Sequence, residues 1–128
     1  MVLADTNIWI EFLNGKDQTL GHTLWRGEVL THWIVIGELA TGNLPARAQT
    51  LADLRELEQV QPATERESLA LIENQKLFGK GLSWNDVQLL AACLIHHVPL
   101  WTHDKRLADQ AKRLGCAWKA PSAASEMP

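Results

Sequence analysis

The amino-acid sequence predicts an α/β domain with a central parallel sheet. Short apolar runs alternate with longer segments whose apolar residues recur at helical spacing, which is the pattern of strands joined by crossover helices. The 128 residues suit one domain that buries a core without disulfides or metals. We therefore expect a single domain over residues 1–118, followed by a flexible tail over residues 119–128, which are small, polar and bounded by proline.

The N-terminal part of the chain predicts two strands and two helices. The apolar run Val2–Ala4 predicts the first strand. The first helix covers Thr6–Leu13 and ends at Asn14-Gly15, because glycine commonly follows the last helical turn. A short helix over Gln18–Arg26 then leads into a second strand, Glu28–Thr31.

The middle of the chain predicts two further helices and a short strand. The first of these helices covers Trp33–Thr41 and ends at Gly42. The second begins at Pro45, since proline suits the first helical turn, and reaches Glu58. Val60-Gln61, directly before another proline, predicts a short third strand.

The C-terminal part predicts two helices, a strand, a further helix and an edge strand. In chain order these are helix Glu65–Phe78, helix Ser83–His96, strand Val98–Thr102, helix Lys105–Leu114 and edge strand Ala117-Trp118. The two glycines of Gly79-Lys80-Gly81 separate the first two helices. The helix over Ser83–His96 is the most apolar, so we expect it to be the most buried.

The composition excludes several classes of protein without selecting one function. Hydrophobic residues make up 46% and charged residues 21%, as in soluble globular proteins, and no apolar run approaches the ~20 residues that a membrane span needs. The N-terminus lacks the basic region of a signal peptide, so we expect a cytoplasmic protein. The net charge is −3, and it becomes nearly neutral when Asp5, Glu38, Asp86 and Asp104 are left out of the count. A nearly neutral remainder permits an RNA substrate without indicating one.

Cys93 and Cys116 are the two cysteines of the chain, and neither belongs to a CxxC or Cys/His cluster. A zinc site is therefore not expected. We expect both residues to be reduced and buried thiols without a catalytic role.

Three aspartates, Asp5, Asp86 and Asp104, each stand at the start of a predicted helix. Asp5 and Asp104 also follow predicted strands, and ligands of open parallel sheets bind beyond the carboxyl ends of the strands. Asp86 completes a capping pattern that begins at Ser83. The alternative for all three aspartates is an ordinary helix cap, which the sequence leaves open.

Glu38 interrupts an otherwise apolar helix and has no cation within four residues on either side. The alternative to a functional role is a solvent-exposed position, since an isolated buried carboxylate would be costly. Gly37 beside it lowers helix stability relative to alanine, which suggests that some group approaches closely at this point.

The four acids together indicate a metal site more strongly than any one of them does. If the first and fourth strands are neighbours, Asp5, Glu38, Asp86 and Asp104 can converge on one edge of the sheet. Clustered carboxylates repel and raise one another's pKa, so they favour a bound cation. Oxygen ligands without histidine or cysteine select Mg²⁺, or Mn²⁺, over zinc. This arrangement best serves phosphodiester hydrolysis by a metal-oriented water.

Four motifs together resemble the PIN-domain ribonucleases, and among these the VapC-type toxins of bacterial type II toxin–antitoxin modules. They are Asp5-Thr6-Asn7 after the first strand, Gly37-Glu38-Leu39, Gly81-Leu82-Ser83-Trp84-Asn85-Asp86, and Leu100-Trp101-Thr102-His103-Asp104-Lys105-Arg106-Leu107. The resemblance extends from residue 2 to about residue 118. It implies a three-layer α/β/α PIN-like fold and an endoribonuclease that uses Mg²⁺ or Mn²⁺. It also implies a homodimer, and a cognate VapB-type antitoxin that blocks the site and carries the complex to operator DNA.

The resemblance also assigns roles to individual residues. Asp5 and Asp86 match the family's principal metal-binding acids, Glu38 matches its mid-chain acid, and Asp104 matches its fourth acid at a strand end. Three further residues of the motifs are assigned supporting roles: Thr6, Asn7 and Thr102.

The chain departs from the family pattern beside two of these acids. Ser83 and Asn85 stand where related chains often carry glycine and valine, which affects how the helix begins without removing Asp86. His103, next to the fourth acid, either contacts RNA or is simply exposed, and exposure is the favoured interpretation. Trp84 is the aromatic residue best placed to contact a nucleotide, although packing within the protein is the favoured alternative.

Two other classes of function stay open on the sequence. A non-catalytic domain of the same fold would bind RNA or a protein without cleaving it, although the intact set of four acids argues against this. A phosphoacceptor domain of the response-regulator type also clusters acids at strand ends. It normally carries a lysine at a later strand end, where this chain has Leu100-Trp101-Thr102. The sequence does not identify the RNA, the cleavage site or the number of metal ions.

Overall fold

In the computed structural model, which describes residues 1–120, seven helices surround a three-stranded parallel sheet. The strands are β1 (Val2–Ala4), β2 (Val29–Leu30) and β3 (Leu100–Trp101). The helices are α1 (Thr6–Leu13), α2 (Thr19–Trp25), α3 (Trp33–Ala40), α4 (Arg47–Glu56), α5 (Glu65–Gln75), α6 (Trp84–His96) and α7 (Lys105–Arg113). Of the predicted tail, residues 119 and 120 are in neither a helix nor a strand, and residues 121–128 lie outside the described part of the chain.

The central strand of the sheet is β1, because the strand order is β2-β1-β3. Leu3 is paired with Leu100 and Ala4 with Trp101, so the first predicted strand does lie beside the fourth. The carboxyl ends of β1 and β3 therefore meet at one edge, which places the residues after each strand next to one another.

Two of the predicted strands are wrong: the structure has a single β-bridge in place of each. In place of Val60-Gln61, only Gln59 pairs with the chain, through a parallel bridge to Thr31. A proline without an N–H group follows, so the ladder cannot continue. In place of Ala117-Trp118, a single bridge joins Ala117 to β3, which is itself only two residues long.

All seven predicted helices are confirmed, with small changes at their ends. Helix α4 begins at Arg47 because the backbone of Ala46 is left-handed, with φ at +44°. Helix α5 ends at Gln75 because Lys76 takes the same conformation, with φ at +53°. No helix within residues 1–120 is long and apolar enough to cross a membrane.

The core lies on both faces of the sheet. Val2, Leu3 and Ala4 are all buried, and successive side chains of a strand point to opposite faces, so helices must cover both of them. This gives the three-layer α/β/α arrangement. Helix α6 is the most buried helix, as predicted, and contributes Val87, Leu89, Leu90, Ala91, Ala92 and Cys93 to the interior.

Candidate active site

Asp5 lies directly after β1 and is only 5% exposed. Its backbone N–H donates to the carbonyl of Trp101 in β3, and its Oδ1 accepts a 2.7 Å hydrogen bond from the N–H of Thr6. Efficient helix caps bind the second or third N–H of the helix, whereas Thr6 is the first residue of α1. The Asp5 carboxylate is therefore an incomplete cap, and its Oδ2 is available to other groups.

The hydroxyl of Thr102 connects the ends of β1 and β3. It donates a 2.7 Å hydrogen bond to Asp5 Oδ2 and accepts hydrogen bonds from Asn7 Nδ2 at 3.2 Å and from the Asp104 N–H at 3.0 Å. Asn7 Nδ2 also lies 3.4 Å from Asp5 Oδ2. This network holds the Asp5 carboxylate in one orientation at the carboxyl edge of the sheet.

Glu38 reaches the same edge from α3. Its Oε1 accepts a 3.0 Å hydrogen bond from the hydroxyl of Thr6, the residue whose N–H binds Asp5. Thr6 therefore links the two acids. The close approach expected at Gly37 is not found within residues 1–120, since a Cβ added there would have no neighbour within 4 Å.

Asp104 is the N-cap of α7, and Asp86 is the third residue of α6, in the capping box that begins at Ser83, as the local patterns predicted. Asp86 Oδ2 accepts a 3.0 Å hydrogen bond from the Ser83 N–H, and the Ser83 hydroxyl accepts one from the Asp86 N–H, which completes a capping box. Asp104 Oδ1 accepts from the N–H groups of Arg106 and Leu107 at the start of α7. Within residues 1–120, the other carboxylate oxygen of each aspartate accepts no hydrogen bond. Each acid can therefore cap its helix and still offer one oxygen to a ligand.

Comparison with known proteins identifies the family. Residues 2–113 match the PIN domain. The chain is also 38% identical over 118 residues to Ribonuclease VapC32 of Mycobacterium tuberculosis, in strains CDC 1551 / Oshkosh and ATCC 25618 / H37Rv, and the match covers 91% of this chain and 95% of the relative. This chain belongs to the PIN domain family, as a VapC-type member. The family and fold expected from the four motifs are thereby confirmed.

Burial and mutual repulsion perturb two acids of this PIN domain. Burial, partly offset by the hydrogen bonds from Thr102 and Thr6, raises the pKa of Asp5 above its ordinary value, and the charges of Asp86 and Asp104 raise it further. Partial burial also raises the pKa of Glu38, although that residue is exposed overall. The Thr6 hydroxyl opposes this shift, and the charges of Asp5 and Asp86 add to it. Asp5 therefore lies close enough to each of the other three acids for their charges to interact, and Glu38 also interacts with Asp86.

The donor set of this edge fits a hard divalent cation. Within residues 1–120, the three ion pairs involve other residues, so no lysine, arginine or histidine neutralises the four acids. Among the described residues, no three of these acids have carboxylate oxygens within 4.8 Å of one another. The acids therefore do not form a closed set of ligands around one ion position. Mg²⁺ commonly retains several waters and takes one or two carboxylates from the protein, which suits this spacing.

The two thiols of the PIN domain are not members of the acid cluster. Cys93 and Cys116 are free and buried, as predicted. Burial raises the pKa of the Cys93 thiol far above its ordinary value, with a smaller contribution from Cys116, and burial also raises that of Cys116. Both residues therefore stay protonated and unreactive near neutral pH.

The sequence did not predict one cluster beside the acids. His103 is exposed, as expected, but its Nε2 lies 3.0 Å from Glu11 Oε2, and Asp17 is close to both. The three residues belong to separate segments and show no shared motif, so no local signal could have found them.

Proposed function

We propose that this PIN domain is a toxic endoribonuclease of a type II toxin–antitoxin system, which hydrolyses RNA phosphodiester bonds with a divalent cation, Mg²⁺ or Mn²⁺. The observation that carries the proposal is the setting of Asp5. It is a buried carboxylate at the carboxyl edge of the sheet, close to three further acids and unpaired with any cationic side chain of residues 1–120. The relative's name, Ribonuclease VapC32, supports the same class of substrate.

In this proposal Asp5, Glu38, Asp86 and Asp104 hold the cation, one or two of them directly and the others through its bound waters. Asp5 is oriented by Thr102, while Glu38 is oriented by the Thr6 hydroxyl. A bound divalent cation supplies the positive charge that offsets the negative charge of the transition state in phosphodiester hydrolysis. Thr102 and Thr6 therefore contribute by holding the carboxylates in position. This reduces the reorganisation of the site that is needed when the cation and RNA bind.

The surroundings of the acids suit an RNA chain. Trp84, two residues before Asp86, is 44% exposed and offers an aromatic face on which a base can stack. Lys105 and Arg106 begin α7 directly after Asp104 and are exposed, so their charges can meet the phosphate backbone. The proposed path of the RNA therefore runs past the start of α6 and the start of α7.

The proposal includes partners and location. A cognate VapB-type antitoxin would inhibit the enzyme by covering the acid cluster, and the complex would bind operator DNA through the antitoxin. We further propose a homodimer in the cytoplasm, with Trp33 as a candidate contact between subunits, since this large aromatic side chain is 55% exposed at the start of α3.

The test is RNA cleavage by purified protein in the presence of Mg²⁺. We expect Asp86→Asn to reduce cleavage by more than about a hundredfold, because it removes a metal-binding charge, and the same variant to relieve growth inhibition on induced expression. Asp109→Asn is the matched control, since Asp109 is an exposed acid on α7 that pairs with Lys105. EDTA should stop the reaction of the wild type.

Two results would contradict the proposal. One is undiminished cleavage by folded Asp86→Asn protein. The other is RNA binding by the wild type without cleavage at any concentration of Mg²⁺ or Mn²⁺, which would indicate a non-catalytic binding domain instead. If the wild type does cleave RNA, sequencing the cleaved ends in total RNA after induction identifies the substrate.

A further inference from the structure

A second group of metal-ligand side chains lies beside the acid cluster. Glu11 is near the end of α1, Asp17 is in the loop before α2, and His103 follows the strand end at Thr102. One ligand atom from each of these three residues lies within 4.8 Å of the other two. Three separate segments of the chain therefore bring two carboxylates and an imidazole to one point.

We propose that Glu11, Asp17 and His103 form a binding site for one divalent transition-metal ion of the Zn²⁺ or Co²⁺ type, separate from the acid cluster. An imidazole nitrogen together with carboxylate oxygens is a donor set that binds such ions, whereas Mg²⁺ prefers oxygen ligands alone. The three side chains are partly exposed, so the ion can enter from solvent and retain water in its remaining positions. This site does not depend on RNA cleavage by the protein.

The distances suit such an ion. Ligands of tetrahedral Zn²⁺ stand about 2.0–2.2 Å from the metal, which puts the ligand atoms about 3.4 Å from one another. His103 Nε2 and Glu11 Oε2 are 3.0 Å apart, and all three ligand atoms lie within 4.8 Å of one another. Small rotations of exposed side chains are therefore enough to place all three around one ion.

Backbone hydrogen bonds hold two of the ligands in position. Asp17 Oδ1 accepts a 2.8 Å hydrogen bond from the Thr19 N–H. That bond, aided by the nearby His103, keeps the pKa of Asp17 below its ordinary value, so the residue is ionised at neutral pH. The N–H of His103 donates to Asn7 Oδ1 at 3.1 Å. Because the fold already restricts the positions of these two ligands, less conformational entropy is lost when the metal binds.

The charge balance favours a cation over a simple ion pair. Glu11 and Asp17 bring two carboxylates to this point, and the single imidazole of His103 lies beside both of them. No lysine or arginine in residues 1–120 forms an ion pair with Glu11 or Asp17. A divalent ion would neutralise both carboxylates and bind the imidazole nitrogen as a third ligand.

The test is metal binding by full-length protein that has been treated with EDTA and desalted. Asp86→Asn serves as the background, because it weakens the acid cluster without altering these three ligands. Zn²⁺ binding is measured by calorimetry, and Co²⁺ binding by its visible absorption. In this background we expect one equivalent of Zn²⁺ to bind, and binding to weaken about tenfold or more when His103→Ala or Asp17→Asn is added. His22→Ala, which alters an exposed histidine on α2, is the matched control and should leave the affinity unchanged.

The measurements separate the new site from the proposed active site. Zn²⁺ should shift the imidazole NMR signals of His103 in the Asp86→Asn protein, and circular dichroism should show that each variant is folded. If either His103→Ala or Asp17→Asn fails to fold, the Zn²⁺ affinity of the other variant tests the proposal. Binding that is equally tight in folded His103→Ala and Asp17→Asn proteins would overturn the proposal. So would the absence of any Zn²⁺ binding in the Asp86→Asn background.

Discussion

The hydroxyl of Thr102 donates a 2.7 Å hydrogen bond to Asp5 Oδ2 across the ends of two parallel strands that are far apart in the sequence. The same hydroxyl accepts hydrogen bonds from Asn7 and from the backbone of Asp104, so its donor and acceptor capacity is used within one network. Thr102 is therefore placed to orient the Asp5 carboxylate. The one hydrogen bond from the backbone of α1, donated by the Thr6 N–H to Oδ1, leaves Oδ2 to Thr102 and Asn7.

The first prediction concerns this hydroxyl. Thr102→Val keeps the shape of the side chain but removes the hydrogen bond, so RNA cleavage should fall by roughly 10–100-fold, as for other residues that orient metal ligands. Thr102→Ser retains the hydroxyl and should keep most of the activity. Equal activity of the two variants in a cleavage assay would show that the hydrogen bond does not matter.

The second prediction concerns the stability that Asp5 costs the protein. Because the pKa of Asp5 is raised in the folded protein, its ionised form opposes folding at pH 7, and the penalty disappears as the pH falls through the raised pKa. Asp5→Asn removes this charge and should raise the melting temperature of metal-free protein. Added Mg²⁺ should stabilise the wild type but not the variant. A variant that is less stable than the metal-free wild type would contradict the electrostatic explanation.

The third prediction concerns pH and His32, which is completely buried and caps α3 through a hydrogen bond from the Ile34 N–H to its Nδ1. Burial lowers the pKa of His32 from 6.5 to about 4. The unfolded chain therefore takes up the proton first, so stability is intact above pH 6.5 and is lost as the pH falls toward 4. Between pH 7 and pH 5 this group should remove about 2 kcal/mol of the free energy of unfolding.

Urea denaturation at the two pH values measures that loss, and His32→Asn isolates it. Asparagine keeps an acceptor for the helix cap but does not titrate, so the variant should show a smaller loss of stability than the wild type. The comparison is needed because Asp5 and Glu38, whose pKa values are raised, shift the balance in the opposite direction. Identical pH profiles would rule out His32 as the cause.

The fourth prediction compares two glycines. Gly37 is in the interior of α3 with open space around it, so Gly37→Ala should raise the free energy of unfolding by about 0.5–1 kcal/mol. Gly81 has φ at +79°, and an added Cβ would lie 2.7 Å from Arg106. Gly81→Ala should therefore lower the free energy of unfolding by about 1 kcal/mol or more. Chemical denaturation measures both, and a loss of stability in Gly37→Ala would contradict the observed space.

The local patterns of the sequence were sufficient for the helices and for the caps at their starts. The pattern from Ser83 to Asp86 predicted a capping box, and the structure contains it. Such features depend on residues within one turn of each other, so their hydrogen bonds can be read from spacing alone. The predicted strand at Val60-Gln61 was wrong, because whether a short apolar run pairs as a strand depends on a neighbour that is distant in the sequence.

The acids illustrate the same division. The sequence by itself determined the identity and order of Asp5, Glu38, Asp86 and Asp104, the helix starts that three of them occupy, and the alternation of strands and helices that brings strand ends together. These are properties of short segments and of residue chemistry. They were enough to predict the fold class and the kind of ligand such a cluster would take.

Only the tertiary structure decided which groups meet. It placed the Thr102 hydroxyl on Asp5, Thr6 between Asp5 and Glu38, and His103 against Glu11. The pairing of β1 with β3 brings about the first contact, and the packing of α3 against α1 brings about the second. Contacts between distant segments depend on how the whole core packs, which no single stretch of sequence encodes.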